Sequence, residues 1–263
     1  MNLNLNGKRA YVGGSTAGIG AAIARQLAEM GASVTLLARN AEKLAAARDA
    51  LSRANGQEHR MIAADFSRPG QLETALERHR SEFPDPVHIL INNTGGPPGG
   101  LAHRAGVEEF RTAFNQHLIC NQLLVQAVLP GMQAAGYGRI INVISTSVKQ
   151  PLPNLGVSNT IRGAVANWAK TLSNELGQFG ITVNNVLPGA TSTGRLHSII
   201  ERKAERSGTT YESASDAMRS KIPAGRFATP EEVAYAIAFL ASPAAAYING
   251  INLPVDGGRT ASL

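Results

Sequence analysis

Arg9-Ala10-Tyr11-Val12-Gly13-Gly14-Ser15-Thr16-Ala17-Gly18-Ile19-Gly20 is the stretch on which the fold turns. Its first residues have strand character, its middle is a glycine-rich turn, and beyond it apolar residues recur at helical spacing, in Ile23, Leu27 and Met30. Glycines at 14, 18 and 20 let the backbone turn sharply and come close to a pyrophosphate. The negative charge of that group is favoured at the N-terminus of the next helix. A glycine pattern by itself is ordinary turn chemistry. Placed between a first strand and a first helix, it makes a dinucleotide the expected ligand, with Gly14, Ser15, Thr16, Gly18, Ile19 and Gly20 as its contacts.

The same alternation continues down the chain. Strands are expected at 9–13, 33–38, 59–63, 89–92, 140–144, 182–187 and 251–255, and helices at about 18–30, 41–55, 69–82, 107–135, 157–179 and 230–241. Strands alternating with helices imply an α/β fold, a doubly wound parallel sheet of Rossmann type with helices on both faces. Ligands of such sheets bind beyond the carboxyl ends of the strands, so the residues just after each strand are the ones to inspect.

The 263 residues, 43% of them hydrophobic, suffice for one large core, and no Pro/Gly/Ser-rich linker or repeat divides them, so a single domain over 1–263 is expected. No apolar run reaches the roughly 18–20 residues of a membrane span, and the N-terminus is too polar for a signal peptide. One cysteine, Cys120, rules out an internal disulfide framework and fits a buried packing role in a cytoplasmic protein. The histidines lack metal-ligand spacing, and no metal is expected. The net charge of +6 is dispersed, without basic clusters or interleaved aromatics, which argues against a nucleic-acid partner and leaves anionic small molecules compatible.

The spacing of Gly14, Gly18 and Gly20 resembles that of the short-chain dehydrogenase/reductase family, and nearly the whole chain looks like its β-ketoacyl-reductase-like members. Asp65 matches the family's adenine-contacting acid, and Asn92-Asn93-Thr94-Gly95 resembles its Asn-Asn-Ala-Gly turn. Asn115 matches an asparagine of the middle helix, and Pro188-Gly189, with Thr191 and Thr193 after it, matches the turn that meets the nicotinamide. Gly13 replaces the family's threonine, which implies a looser turn. Arg39, at the end of the second strand, suits a 2′-phosphate through charge-assisted hydrogen bonds, so NADP(H) is the expected cofactor.

The resemblance also implies a catalytic serine, a proton-donating tyrosine and a lysine four residues beyond it. Ser145 matches the serine that polarises the substrate oxygen. Thirteen residues on stands Ser158 instead of tyrosine, and four further stands Arg162 instead of lysine. A serine hydroxyl lies roughly 4 Å nearer its backbone than a tyrosine hydroxyl and is far less acidic. An arginine, with a pKa above about 12, can hold ribose oxygens but does not relay protons. Loss of a positioned acid costs about 10²–10⁴ in rate.

Three readings are open. The chain is an NADP(H)-dependent oxidoreductase of a carbonyl/alcohol pair, with water or another side chain, such as Tyr211 or His117, supplying the proton. Or it binds NADP(H) without catalysis, in a regulatory role. Or it resembles the halohydrin dehalogenases, which carry arginine at the lysine position but keep the tyrosine and lose the cofactor loop. The first is the preferred reading, with Asn115, Ser145, Ser158 and Arg162 as the catalytic set and Asn92, Thr94, Gly95 and Arg162 beside the cofactor. The resemblance further implies a substrate lid over about 196–222 and a homodimer or homotetramer.

Overall fold

Parallel strands are covered on both faces, so each must be apolar along its whole length rather than on alternate residues. The stretches that satisfy this are β1 (Arg9–Gly13), β2 (Ser33–Ala38), β3 (Arg60–Ala63), β4 (Ile89–Asn92), β5 (Gly138–Val143), β6 (Ile181–Pro188) and β7 (Asn252–Val255). The computed structural model describes residues 1–262, and in it these strands form one parallel sheet, ordered β3-β2-β1-β4-β5-β6-β7. The chain winds outward from β1 through β2 and β3, then returns to lay β4 against β1's free edge and continues the other way. The expected α/β class is therefore the one observed.

The connections carry α1 (Gly18–Glu29), α2 (Ala41–Asp49), α3 (Pro69–Glu82), α4 (Val107–Phe114), α5 (Cys120–Ala134), α6 (Gly156–Leu176), α7 (Gly194–Ser207), α8 (Tyr211–Arg219) and α9 (Pro230–Ala241). Alternate strand residues feed two cores. Ile89 and Ile91 pack with Ile23 and Leu27 of α1 and Val233 and Ile237 of α9. Leu90, on the opposite face, packs with Leu72 of α3 and Leu124, Val128 and Met132 of α5. A smaller cluster of Leu196, Ile200, Ala204 and Ala214 joins α7 to α8. No helix of the described residues is long and apolar enough to cross a membrane.

Several boundaries differ from the sequence expectation, and three of the differences have a clear local reason. β3 starts at Arg60, not at 59, because the His59 ring takes the ladder position: its Nδ1 accepts from Val34 N at 3.1 Å and its Nε2 meets Ser52 O at 2.8 Å. α2 stops at Asp49 rather than near 55, where Leu51 drops into the core and Gln57 Nε2 donates to Ala28 O at 2.7 Å. The long middle helix is interrupted by a π turn, Asn115–Ile119, with Cys120 N bonding back to Asn115 O. Such one-turn widenings recur at functional sites.

An asparagine ladder, buried at Asn92, Asn142 and Asn185 and half-buried at Asn252, ties four strands together, from the carboxyl end of β4 to the first residue of β7. Asn92 Nδ2 donates to Asn142 Oδ1 at 2.8 Å, Asn142 Nδ2 to Asn185 Oδ1 at 2.9 Å, and Asn185 Nδ2 to Asn252 Oδ1 at 2.8 Å. Those residues are register partners on β4, β5, β6 and β7. The ladder fixes the strand ends from which the loops of the site depart.

Candidate functional site

The carboxyl ends of β1 and β4, where the winding reverses, open into a cleft of two chambers that share Thr94, Gly95 and Gly96. The outer chamber is about 730 Å³ and the inner about 340 Å³. Both are within the range of small-molecule and cofactor sites. Another groove, around Tyr11, His79 and Phe83, lies on the opposite edge of the sheet, where the Arg9–Asp85 ion pair sits at 2.9 Å.

The turn after β1 has the conformation that its composition demands. Gly14 and Gly18 have φ of +57° and +53°, a region costly for any residue with a Cβ. A Cβ on Gly20 would collide with the carbonyl of Gly14, and one on Gly13 would stand 2.7 Å from Asn93 O. The looser turn expected from Gly13 is not found. Asn93 Nδ2 donates to Gly13 O at 3.0 Å and braces the turn from β4, a contact available only because Gly13 lets the two backbones approach. Ser15 is buried against Leu37 O, while Thr16 faces the outer chamber and Ile19 the inner one.

The outer chamber gathers Arg39 and Asp65, as expected, and adds Lys43. Asn40 caps α2 by accepting from Lys43 N at 2.8 Å, which turns the first residues of that helix toward the chamber. Asp65 accepts from Ser67 N at 2.9 Å, and this bond, helped by Arg39, holds its carboxyl below the usual carboxylate range.

Ser145, Ser158 and Arg162 line the inner chamber together, with Pro188, Gly189, Thr191 and Thr193 opposite. Ser145 ends the loop from β5 and accepts from Ser147 N at 3.1 Å, which begins a short turn and sets the hydroxyl's direction. Ser158 and Arg162 stand one turn apart on the first half of α6, both buried. Arg162 Nη1 donates to Val143 O at 3.2 Å. Burial, and then Arg195, lower its pKa to about 10, so the value above 12 expected from the residue type is corrected downward while the group stays cationic at neutral pH. Thr191 bonds Gly189 O, and Thr193 caps α7 through Leu196 N at 3.3 Å.

Other expected residues stand elsewhere. The Asn92 side chain belongs to the ladder, and it is Asn93 that lines the inner chamber. Asn115 heads the π turn, half-buried, and does not line either chamber. His117, two residues on, is buried, with Nδ1 2.6 Å from Thr94 Oγ1 and no partner for Nε2 among the described residues. Burial above all, then Arg162 and Arg195, press its pKa down to about 2, which makes it a neutral base and a poor proton donor. Tyr211 is engaged on α7, its hydroxyl 2.9 Å from His197 Nδ1, and does not face the chamber. Cys120 is fully buried, its thiol pushed up to about 12.

Residue-by-residue reading missed Lys43, Arg195, Arg259 and the Thr94–His117 pair. Arg195 donates from Nη1 to Gly96 O at 2.8 Å and from Nη2 to Pro97 O at 3.3 Å, and so ties α7 to the loop after β4. Its only signal in the sequence is its place just after the Thr193 cap.

The profile of a family described as enoyl-(acyl carrier protein) reductase matches residues 14–260. The 3-oxoacyl-(acyl-carrier-protein) reductase FabG of Vibrio cholerae is 36% identical over 258 residues, 97% of this chain and 98% of that protein. The NADPH-dependent reductase BacG of Bacillus subtilis is 28% identical over 257 residues, 97% of this chain and 99% of that protein. Among solved structures, the L-sorbose reductase of Gluconobacter frateurii, complexed with NADPH and L-sorbose, superposes with a TM-score of 0.93 at 31% identity, covering 100% of both chains.

Proposed function

Because the chain belongs to the short-chain dehydrogenase/reductase family, we propose that it is an NADP(H)-dependent oxidoreductase acting on a small carbonyl/alcohol pair through a non-standard centre. One observation carries the reading: a single cleft runs from the glycine turn past Thr94–Gly96 to Ser145. The site fits a dinucleotide, since Gly14 and Thr16 of the close-packed glycine turn line the outer chamber together with two cations, Arg39 and Lys43. The NADPH-binding relatives point the same way.

In this reading Gly14, Ser15, Thr16, Gly18, Ile19 and Gly20 cradle the pyrophosphate, and Arg39 takes the 2′-phosphate with Lys43. Asp65 orients the adenine, and Asn93, Thr94 and Gly95 supply the turn beside the cofactor, with Asn92 anchoring that turn through the ladder. Pro188, Gly189, Thr191 and Thr193 back the nicotinamide. When bound, NADPH supplies a hydride to the substrate carbonyl. Ser145 donates a hydrogen bond to the carbonyl oxygen and Asn115 orders the π turn behind it. Arg162 holds ribose hydroxyls and lends positive charge to the oxygen that gains the electron pair. Ser158 takes the place of the family's tyrosine, and its hydroxyl stops short of the substrate, so water entering the open cleft delivers the proton. Residues 196–222, centred on α7 and α8, serve as a lid. The α5 and α6 faces, already joined by Trp168 Nε1 to Gln122 Oε1 at 2.9 Å, form the contact of a homodimer or homotetramer.

Fluorescence titration with NADPH and NADH tests the cofactor, and a carbonyl screen following NADPH oxidation tests the reaction. NADPH binds tighter, and Arg39→Ala weakens it by about 10–100-fold while sparing NADH. Binding of neither nucleotide sinks the reading. The short, weakly acidic Ser158 favours the second reading, an NADP(H)-binding protein without catalysis, which robust turnover by the wild-type chain rejects.

A further inference from the structure

Arg162, Arg195 and Arg259 line the inner chamber, and among the described residues no aspartate or glutamate does. Arg162 is 7% exposed and, among the described residues, makes no ion pair and engages one of its five donors, with a backbone carbonyl at 3.2 Å. A buried guanidinium without a counter-charge is costly, and natural proteins place such groups where an anion completes them. Arg195 comes in from the mouth of the chamber and aims at the same spot. A Cβ on Gly96 would stand 2.7 Å from Arg195 Nη2 and 3.5 Å from Arg162 Nη2, so both guanidiniums converge on one point beside that glycine. Two like charges brought together in a low-dielectric cleft repel unless an anion lies between them. That repulsion is one of the two causes that lower the Arg162 pKa.

We propose, on the premise of the oxidoreductase reading, that the substrate is a carbonyl compound bearing a carboxylate, gripped chiefly by Arg195 and completed by the Arg162 donors that the ribose leaves free. The apolar remainder lies against Leu152, Pro153, Leu155, Ile199 and Met218, which line the same chamber. Planar guanidinium forks match a carboxylate in two-point fashion, which would fix the carbonyl relative to Ser145. The cofactor's own phosphates have other partners, the backbone of the glycine turn and the Arg39–Lys43 end of the outer chamber. Arg195 lines the inner chamber and not the outer one, bonded to the carbonyls of Gly96 and Pro97 at the boundary of the two.

The test compares levulinate and benzoylformate with their uncharged methyl esters, by calorimetric binding to the protein alone and saturated with NADPH, and by NADPH oxidation. At least one acid is bound, and where turned over is turned over, about tenfold or more better than its ester. Arg195→Gln abolishes that preference while NADPH affinity changes less than about threefold, with Tm lowered only by the loss of its two bonds to the loop, and Arg195→Lys keeps most of the preference. Esters that equal or exceed both acids overturn the proposal. So does an Arg195→Gln variant that weakens NADPH while preserving the acid preference, since the anion would then be the cofactor's. If NADPH fails to bind, the oxidoreductase reading falls alone, because the acid–ester comparison on the protein without nucleotide still decides the carboxylate grip.

Discussion

Replacing Asn142 by alanine removes the middle rung of the asparagine ladder, and the structure sets the size of the effect. Asn142 has no exposed surface, donates to Asn185 Oδ1 and accepts from Asn92 Nδ2. Alanine therefore strands one donor and one acceptor, in residues that are each 3% exposed. Asn92 Oδ1 already lacks a partner among the described residues, so the substitution leaves the whole Asn92 amide unpaired. A buried polar group left unpaired costs about 1–3 kcal/mol, so the substitution removes about 2–6 kcal/mol. Against the 5–15 kcal/mol typical of a folded domain, that is a large share. Urea unfolding followed by circular dichroism reads the change as a lower midpoint at constant slope. A loss below about 1 kcal/mol would refute the reasoning, because the ladder would then be decoration on a sheet already fixed by its apolar core.

Other expectations rest on single residues. Thr182 Oγ1 on β6 is buried without a partner among the described residues, so Thr182→Val leaves stability unchanged or raises it by about 1 kcal/mol in the same assay, and a clear loss would expose a hidden hydrogen bond. Gly20→Ala improves helix propensity by about 1 kcal/mol, yet its Cβ meets the Gly14 carbonyl, so backbone displacement wins and NADPH affinity collapses in a fluorescence titration; retained affinity contradicts the cradle. His88 and His117 have folded pKa values of about 4 and about 2, against 6.5 for the exposed group. Below pH 6.5 the unfolded chain takes up protons that these buried rings refuse, so stability falls with falling pH by about 1.4 kcal/mol per unit for each ring. Unfolding midpoints that stay level between neutrality and about pH 5 would show that both rings titrate normally in the fold.

Much of the fold can be read from local pattern. The β4 run of Ile89, Leu90 and Ile91 is apolar without interruption because both faces are covered, and that requirement is visible in three consecutive letters. Where local pattern failed, a side chain or an extra residue had replaced a backbone bond, as at His59 and in the Asn115–Ile119 turn, and period counting does not see such exchanges. Within the site, Ser145, Ser158 and Arg162 were found as the positions that match the family's catalytic residues, and the inner chamber holds all three. Arg195 was missed because its partners, Gly96 and Pro97, are 98 to 99 residues away.

By itself, then, the sequence determined the strands, the helices, the glycine turn and the class of ligand that a strand–turn–helix unit invites. Those depend on propensity, periodicity and steric freedom, which act over a few residues. Tertiary structure alone decided the strand order, the ladder of Asn92, Asn142, Asn185 and Asn252, the brace from Asn93 to Gly13, and the meeting of Arg162 with Arg195 beside Gly96. These are contacts between segments far apart in the chain. They exist because parallel pairing in one register brings strand ends together at a common edge, and no short stretch of residues encodes which ends will meet.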